Sequence, residues 1–276
     1  MHRSSRWLVS LVAVVLSAGT SLAGTPLPDP PFASGGFVPP DSTVLKQEVS
    51  VGKIVTKYAA TLAKCDQKAL IGLQLAYEPE NTTKIPTLQD AWTACRANAG
   101  AKYTAARDKL LLGGTPACLD QAGIDAIRAQ VDAQFPLLAP VVYCDGDAAA
   151  PDPVTGINIP DFKNEAVGEV AASKVVTKAG MLAGKCYTKA ALYAFKFGGS
   201  IPADILAKIS ACLAKASDGG DTAMLKLDQT QKLPACLPLA TGQGLVAAAV
   251  ALGGQFTDET YCASPSGAFV DGPGRD

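Results

Sequence analysis

Two kinds of side chain are numerous and regularly spaced enough in this chain to do chemistry: cysteine and lysine. Eight cysteines fall into two sets of four. Cys65, Cys95, Cys118 and Cys144 are separated by 30, 23 and 26 positions, and Cys186, Cys212, Cys236 and Cys262 by 26, 24 and 26. Thiols could bind zinc, exchange disulfides or cross-link the chain. Zinc sites usually bring ligands in close pairs such as Cys-x-x-Cys, and catalytic disulfides favour the same motif; none occurs here. The reading that remains is structural disulfides formed in an oxidising compartment.

The lysines form two rows. Lys46, Lys53, Lys57, Lys64 and Lys68 are spaced 7, 4, 7 and 4, while Lys174, Lys178, Lys185, Lys189 and Lys196 are spaced 4, 7, 4 and 7. At about 100° per residue each row lies on one stripe of a helix. Val44, Val51, Val55, Tyr58, Leu62 and Leu73 fall on the opposite, core-facing side. Such a row could dock an anionic surface, polymer or protein. The plainer alternative is a solvated face whose aliphatic stems cover apolar surface.

Other patterns are weaker. Ser50-Val51-Gly52-Lys53 matches the Ser-x-x-Lys pattern of serine β-lactamase-like enzymes, but Lys-Thr-Gly is absent and Ala171 stands at the corresponding place later in the chain. The acidic pairs Asp145/Asp147, Asp218/Asp221 and Glu78/Glu80 read as turn formers and helix caps, since no twelve-residue calcium loop surrounds them. Asn81-Thr82-Thr83 is a glycosylation acceptor pattern, relevant only in a host that glycosylates secreted proteins. Trp92, three residues before Cys95, is expected to pack on a disulfide. No metal or cofactor is expected.

The ends point to export. Arg3 and Arg6, the apolar stretch Trp7 to Leu16 and Ser21-Leu22-Ala23 make a signal peptide over 1–23. The only histidine, His2, would leave with it, removing the usual base of Ser-His-Asp or Cys-His catalysis. Taking Arg3 and Arg6 from the 24 basic residues leaves 22 against 25 acidic, a balance that argues against nucleic acid as a partner. The run Gly244 to Gly254 is too short to span a bilayer.

A shift of 121 positions lays the second half on the first. Glu48-Val49 meets Glu169-Val170, Lys53, Val55, Thr56 and Lys57 meet Lys174, Val176, Thr177 and Lys178, and Lys64-Cys65 meets Lys185-Cys186. With shorter offsets Pro116-Ala117-Cys118-Leu119 matches Pro234-Ala235-Cys236-Leu237, and Tyr143-Cys144 matches Tyr261-Cys262. The expected fold is therefore all-α: two tandem disulfide-stapled helical-bundle repeats of about four helices each. The boundaries are a Pro/Gly-rich leader at 24–43, repeat one at 44–144, a linker at 145–164, repeat two at 165–262 and a tail at 263–276. Proline excludes regular helix from both leaders. Long first helices are expected at 44–77 and 165–197. Second helices start near Pro86 and Pro202, with glycine breaks at Gly100 and Gly219-Gly220 before a third. Fourth helices follow at about 120–135 and 239–252. No period-two alternation calls for strands.

Residues equidistant from a hairpin turn lie level, and the midpoints of Cys65/Cys95 and Cys186/Cys212 fall in expected turns. Those pairs should clamp the hairpins, leaving Cys118–Cys144 and Cys236–Cys262 to close each unit. Small stapled helical units resemble saposin-type lipid-binding domains in general style, though those carry six cysteines per repeat. The functional expectation is a secreted or periplasmic non-enzymatic helical protein with a binding or cell-surface role. A binder of lipid or another apolar small molecule is the alternative, and an enzyme built on carboxylates and lysines the third.

Overall fold

The computed structural model describes residues 41–77, 81–116, 119–197, 201–255 and 260–261. The expected signal peptide, the first leader as far as residue 40, the tail, Glu78/Glu80, Cys118 and Cys262 lie outside these residues, and Ser42 and Thr43, expected to end the leader, instead begin a helix capped by Asp41. Six α-helices are described: α1 (Ser42–Ala76), α2 (Ile85–Leu112), α3 (Gln121–Val142), α4 (Lys163–Lys196), α5 (Ala203–Gln229) and α6 (Leu239–Gln255). A single 3-10 turn over Thr82–Lys84 leads into α2. Among the described residues there is no strand, and no helix is long and apolar enough to cross a membrane.

Side chains mark several of the starts. Asp41 accepts hydrogen bonds from the backbone N–H groups of Thr43 and Val44, and Asp120 from that of Gly123. Glu165 reaches back to the N–H of Phe162. Each satisfies a donor that the first helical turn leaves open.

Each half holds three described helices where four were expected. The glycines read as breaks lie inside continuous helices, and Asp218 and Asp221 are therefore helical residues of α5 instead of turn formers. A Cβ on Gly100 would come within 2.6 Å of the Arg128 guanidinium, and one on Gly220 within 2.4 Å of Val246. These glycines accept a helix-propensity cost of up to about 1 kcal/mol so that neighbouring helices can approach.

α1 and α4 are the two longest helices, and they pack against each other antiparallel. Leu45 and Val49, near the start of α1, cluster with Ala190, Ala191 and Ala194 near the end of α4. Ala69, Leu70 and Leu73 at the other end cluster with Ala166, Val170 and Ala172. α2 and α3 pack on α1, and α5 and α6 on α4. A third cluster, around Val51, Val55, Tyr58 and Leu62, is completed by Tyr103 of α2 and Ile124 and Ile127 of α3. The Tyr58 hydroxyl donates to Asp132 of α3 at 2.5 Å, and that of Tyr103 to the Ile124 carbonyl at 2.7 Å.

The hairpin disulfides stand where the turn geometry placed them, Cys65–Cys95 between α1 and α2 and Cys186–Cys212 between α4 and α5. The expected pairs Cys118–Cys144 and Cys236–Cys262 are corrected. Cys144 pairs with Cys236, 92 residues away, and so joins the halves. The reason lies in the segment after α3, which does not fold back along its own helix. Tyr143 is buried against α4, with its hydroxyl 2.9 Å from Ser173, and Asp145 donates its N–H to Glu169. The linker is irregular, as its prolines require, but it is anchored. Asp152, buried, accepts from Tyr77 (3.0 Å) and Gln89 (2.7 Å) of the first hairpin, and Ile157 is buried in the core.

Two outcomes follow. Non-reducing peptide mapping should recover a Cys144–Cys236 peptide pair, and no Cys118–Cys144 pair. Gly220→Ala should destabilise the protein by roughly 1–3 kcal/mol through overpacking. Gly219→Ala, whose new methyl meets nothing within 4 Å, should stabilise it by about 0.5–1 kcal/mol. Urea unfolding of the two variants checks the contrast.

Candidate functional site

The feature most able to hold a ligand is a cavity of about 180 Å³ where α1 and α4 cross, walled on the other sides by α3 and α6. It exists because both long helices carry small residues on the facing stripe. Gly52, Thr56, Ala59 and Ala63 line it from α1, and Ser173, Thr177, Gly180 and Gly184 from α4. Under the 121-residue shift these are corresponding positions. Val131, Phe135 and Ala139 of α3 and Ala249, Leu252 and Gly253 of α6 complete the walls. Several of these residues, among them Phe135, Met181 and Leu252, keep partial exposure, so the cavity communicates with solvent.

Three threonine hydroxyls in its walls are already used. Thr56 donates to the Gly52 carbonyl at 2.8 Å, Thr177 to that of Ser173 at 2.8 Å and Thr188 to that of Gly184 at 3.1 Å. At one end Gln67 donates to Ser173 (3.0 Å), whose hydroxyl also meets Tyr143. Asp66, buried, accepts from the Trp92 indole at 2.8 Å and from Arg96 at 3.3 Å. Burial pushes the Asp66 carboxyl above the usual carboxylate range, against the pull of Trp92 and Arg96. Burial likewise pushes Tyr261, at the opposite end, up to about 12, with the nearby Glu48 charge adding to it and a Thr188 hydrogen bond opposing it. The site therefore presents mainly methyl, methylene and aromatic surface, and Thr56, Thr177, Thr188, Ser173, Asp66 and Tyr143 in its walls already have protein partners. It suits an apolar guest.

Beside the inter-half disulfide lies a buried carboxyl. Glu169 is fully buried, accepts from the Asp145 N–H at 2.7 Å and stands 3.8 Å from the Cys236 sulfur. Burial first, then the Asp145 and Glu165 charges, pushes it up to about 8, while the Asp145 and Cys144 backbone N–H groups pull it down. Cys144, Glu169 and Cys236 have the proximity of a metal triad. With the sulfurs joined to each other, however, neither offers the thiolate that a metal needs. Glu48, the counterpart of Glu169 under the shift, is also fully buried.

The remaining candidates separate cleanly. All ten lysines of the two rows are exposed, and none makes an ion pair among the described residues. The Ser50 hydroxyl donates to the Lys46 carbonyl of its own helix at 2.7 Å, so no Ser–Lys pair forms. Asp145 and Asp147 cap local turns through the N–H groups of Gly146 and Ala149. Trp92 bonds Asp66, with Arg96 stacked 5.1 Å from its ring, a role its position beside Cys95 does not announce. The cavity residues were missed in the sequence because glycine and alanine carry no chemistry of their own. The signal was their common stripe at i, i+4, i+7 and i+11 on both first helices.

Glu169 sets a pH dependence. Its folded value is raised, so the protonated form is favoured in the native state, and the stabilisation present below about 4.5 is lost as pH rises toward 8. Between pH 5 and 8 Glu169→Gln should gain stability relative to the unsubstituted protein, by an amount on the order of a few kcal/mol, as read by urea unfolding at each pH. A constant difference across that range would refute the assignment.

No protein-family model matches the chain, and no curated protein or solved structure matches it.

Proposed function

We propose that the protein is an exported, non-enzymatic helical binding protein. Two copies of one helical unit would be arranged about a central cavity that holds an apolar small molecule. The cavity between α1 and α4 carries this reading, because its walls are mainly small and aliphatic and three of its threonine hydroxyls are bonded elsewhere. An apolar cavity of about 150 Å³ is enough to admit a benzene-sized ring. The guest is accordingly a small ring, a short branched chain or the apolar end of something longer. The disulfides support export. The matching of Gly52, Thr56, Ala59 and Ala63 to Ser173, Thr177, Gly180 and Gly184 supports the duplication, since both copies contribute the same stripe to one site.

Native mass spectrometry of the secreted protein should find a co-purifying apolar molecule. Small aromatic and short acyl compounds should raise the melting temperature in step with the logarithm of their concentration, adding about 2.7 kcal/mol of stability at a hundredfold excess over Kd. Ala59→Phe should keep the helical circular dichroism and lose that response. If no compound shifts the transition, and the filled variant is simply more stable, the cavity is a packing void and the reading is wrong.

A further inference from the structure

We infer that α1 and α4 together form a membrane-docking face for anionic lipid. On each helix the lysine row lies roughly opposite the residues that pack on the third helix of its half: Val55, Tyr58 and Leu62 against α3, and Val176, Ala179 and Ala183 against α6. α3 and α6 both wall the cavity between α1 and α4, and because α1 and α4 are antiparallel helices of matching halves, that places α3 and α6 on one side of the α1–α4 layer. Both lysine rows therefore leave on the other side, and ten exposed ammonium groups share one face.

Neither α1 nor α4 sets an exposed acid among its lysines. The acidic residues of α1 are Glu48 and Asp66, both buried. In α4 Glu169 is buried, and Glu165 is spent on the N–H of Phe162 at the helix start. Exposed lysine helices ordinarily gain a few tenths of a kcal/mol from each i,i+4 acidic partner, and like charges at that spacing lose a similar amount. Here Lys53/Lys57, Lys64/Lys68, Lys174/Lys178 and Lys185/Lys189 are like-charge i,i+4 pairs. A face serving solubility alone has no use for that arrangement, whereas a polyanionic partner relieves it.

Three of the exposed large apolar side chains lie in line with the rows. Leu75 (39% exposed) continues the α1 row seven residues past Lys68. Val167 (47%) lies seven before Lys174, and Leu192 (46%) three after Lys189. Lysines interleaved with exposed aliphatic groups match an anionic bilayer, where ammonium groups meet the headgroups and aliphatic groups enter the acyl boundary. A soluble polyanion would reward only the charge. The face is a different surface from the cavity, and its docking does not depend on a cavity ligand.

The test is co-sedimentation of the secreted protein with vesicles of phosphatidylcholine containing 30% phosphatidylglycerol. Binding is expected at low salt, with at least a tenfold loss in 0.5 M NaCl and none on pure phosphatidylcholine. Lysines near such a surface contribute about 1 kcal/mol each, so the quadruple variant Lys57→Glu/Lys64→Glu/Lys178→Glu/Lys185→Glu should lose binding by a hundredfold or more. Its circular dichroism should be unchanged. Leu75→Ser/Leu192→Ser should weaken vesicle binding severalfold while leaving any binding to inorganic polyphosphate unaltered. Equal binding to neutral vesicles would overturn the proposal, as would absence of vesicle binding. Vesicle binding untouched by the leucine substitutions and matched by polyphosphate would assign the face to a soluble polyanion instead.

Discussion

The packing of α1 on α4 is the contact on which the rest of this structure depends. Alanine buries little surface, and a helix pair rich in it gains little from each contact at about 25 cal/mol per Å². It can, however, approach closely. That closeness brings polar groups of the two halves within hydrogen-bonding reach, so that Gln67 of α1 meets Ser173 of α4 and Tyr143 joins them. Satisfied polar contacts in an otherwise apolar interface reward one register over its neighbours. The Cys144–Cys236 bond then removes conformational freedom from an unfolded chain that the weak apolar contacts alone would hold less firmly.

The same contact explains where charge can go. Each long helix buries one side against its own two partners and another against the opposite long helix, so a single stripe remains for solvent. Lys53, Lys57 and Lys64 occupy that stripe on α1, and Lys178, Lys185 and Lys189 on α4, because every other direction is occupied. Glu48 and Glu169 fall on the buried sides instead. Glu169 is tolerated there through backbone N–H donors and a shift toward its neutral form.

Much of the architecture was legible in the cysteines and prolines, because local geometry governs those features. A residue level with its partner across a hairpin turn is a short-range property, and Cys65–Cys95 and Cys186–Cys212 follow from it. Cys144 obeys no such rule. Its partner depends on where the linker travels, and that is set by Tyr143 against Ser173 and by Asp152 against Tyr77 and Gln89, contacts between segments 30 to 75 residues apart. Gly100 and Gly220 misled for a related reason. Glycine as a breaker is a local argument, while glycine as a contact depends on Arg128 and Val246, which arrive from another helix. The lysine rows were visible, but the common face they form follows only once α1 and α4 are known to lie antiparallel with α3 and α6 on the same side.

The cavity was the least legible feature and carries the largest energetic statement. Enclosed voids in protein cores cost about 24 cal/mol per Å³, which sets an upper bound of about 4 kcal/mol for about 180 Å³, and a cavity that opens to solvent costs less than that bound. Domain stabilities run only about 5–15 kcal/mol. Water there finds few free donors, because the hydroxyls of Thr56, Thr177 and Thr188 donate to Gly52, Ser173 and Gly184 of their own helices. Larger side chains could fill the space at several of these positions. Gly184, for one, would bring a Cβ only to 3.2 Å from a threonine oxygen, a contact a small adjustment accommodates. A chain that holds its two longest helices together through small residues, and leaves the gap between them open to solvent, is arranged to recover that cost when an apolar molecule enters.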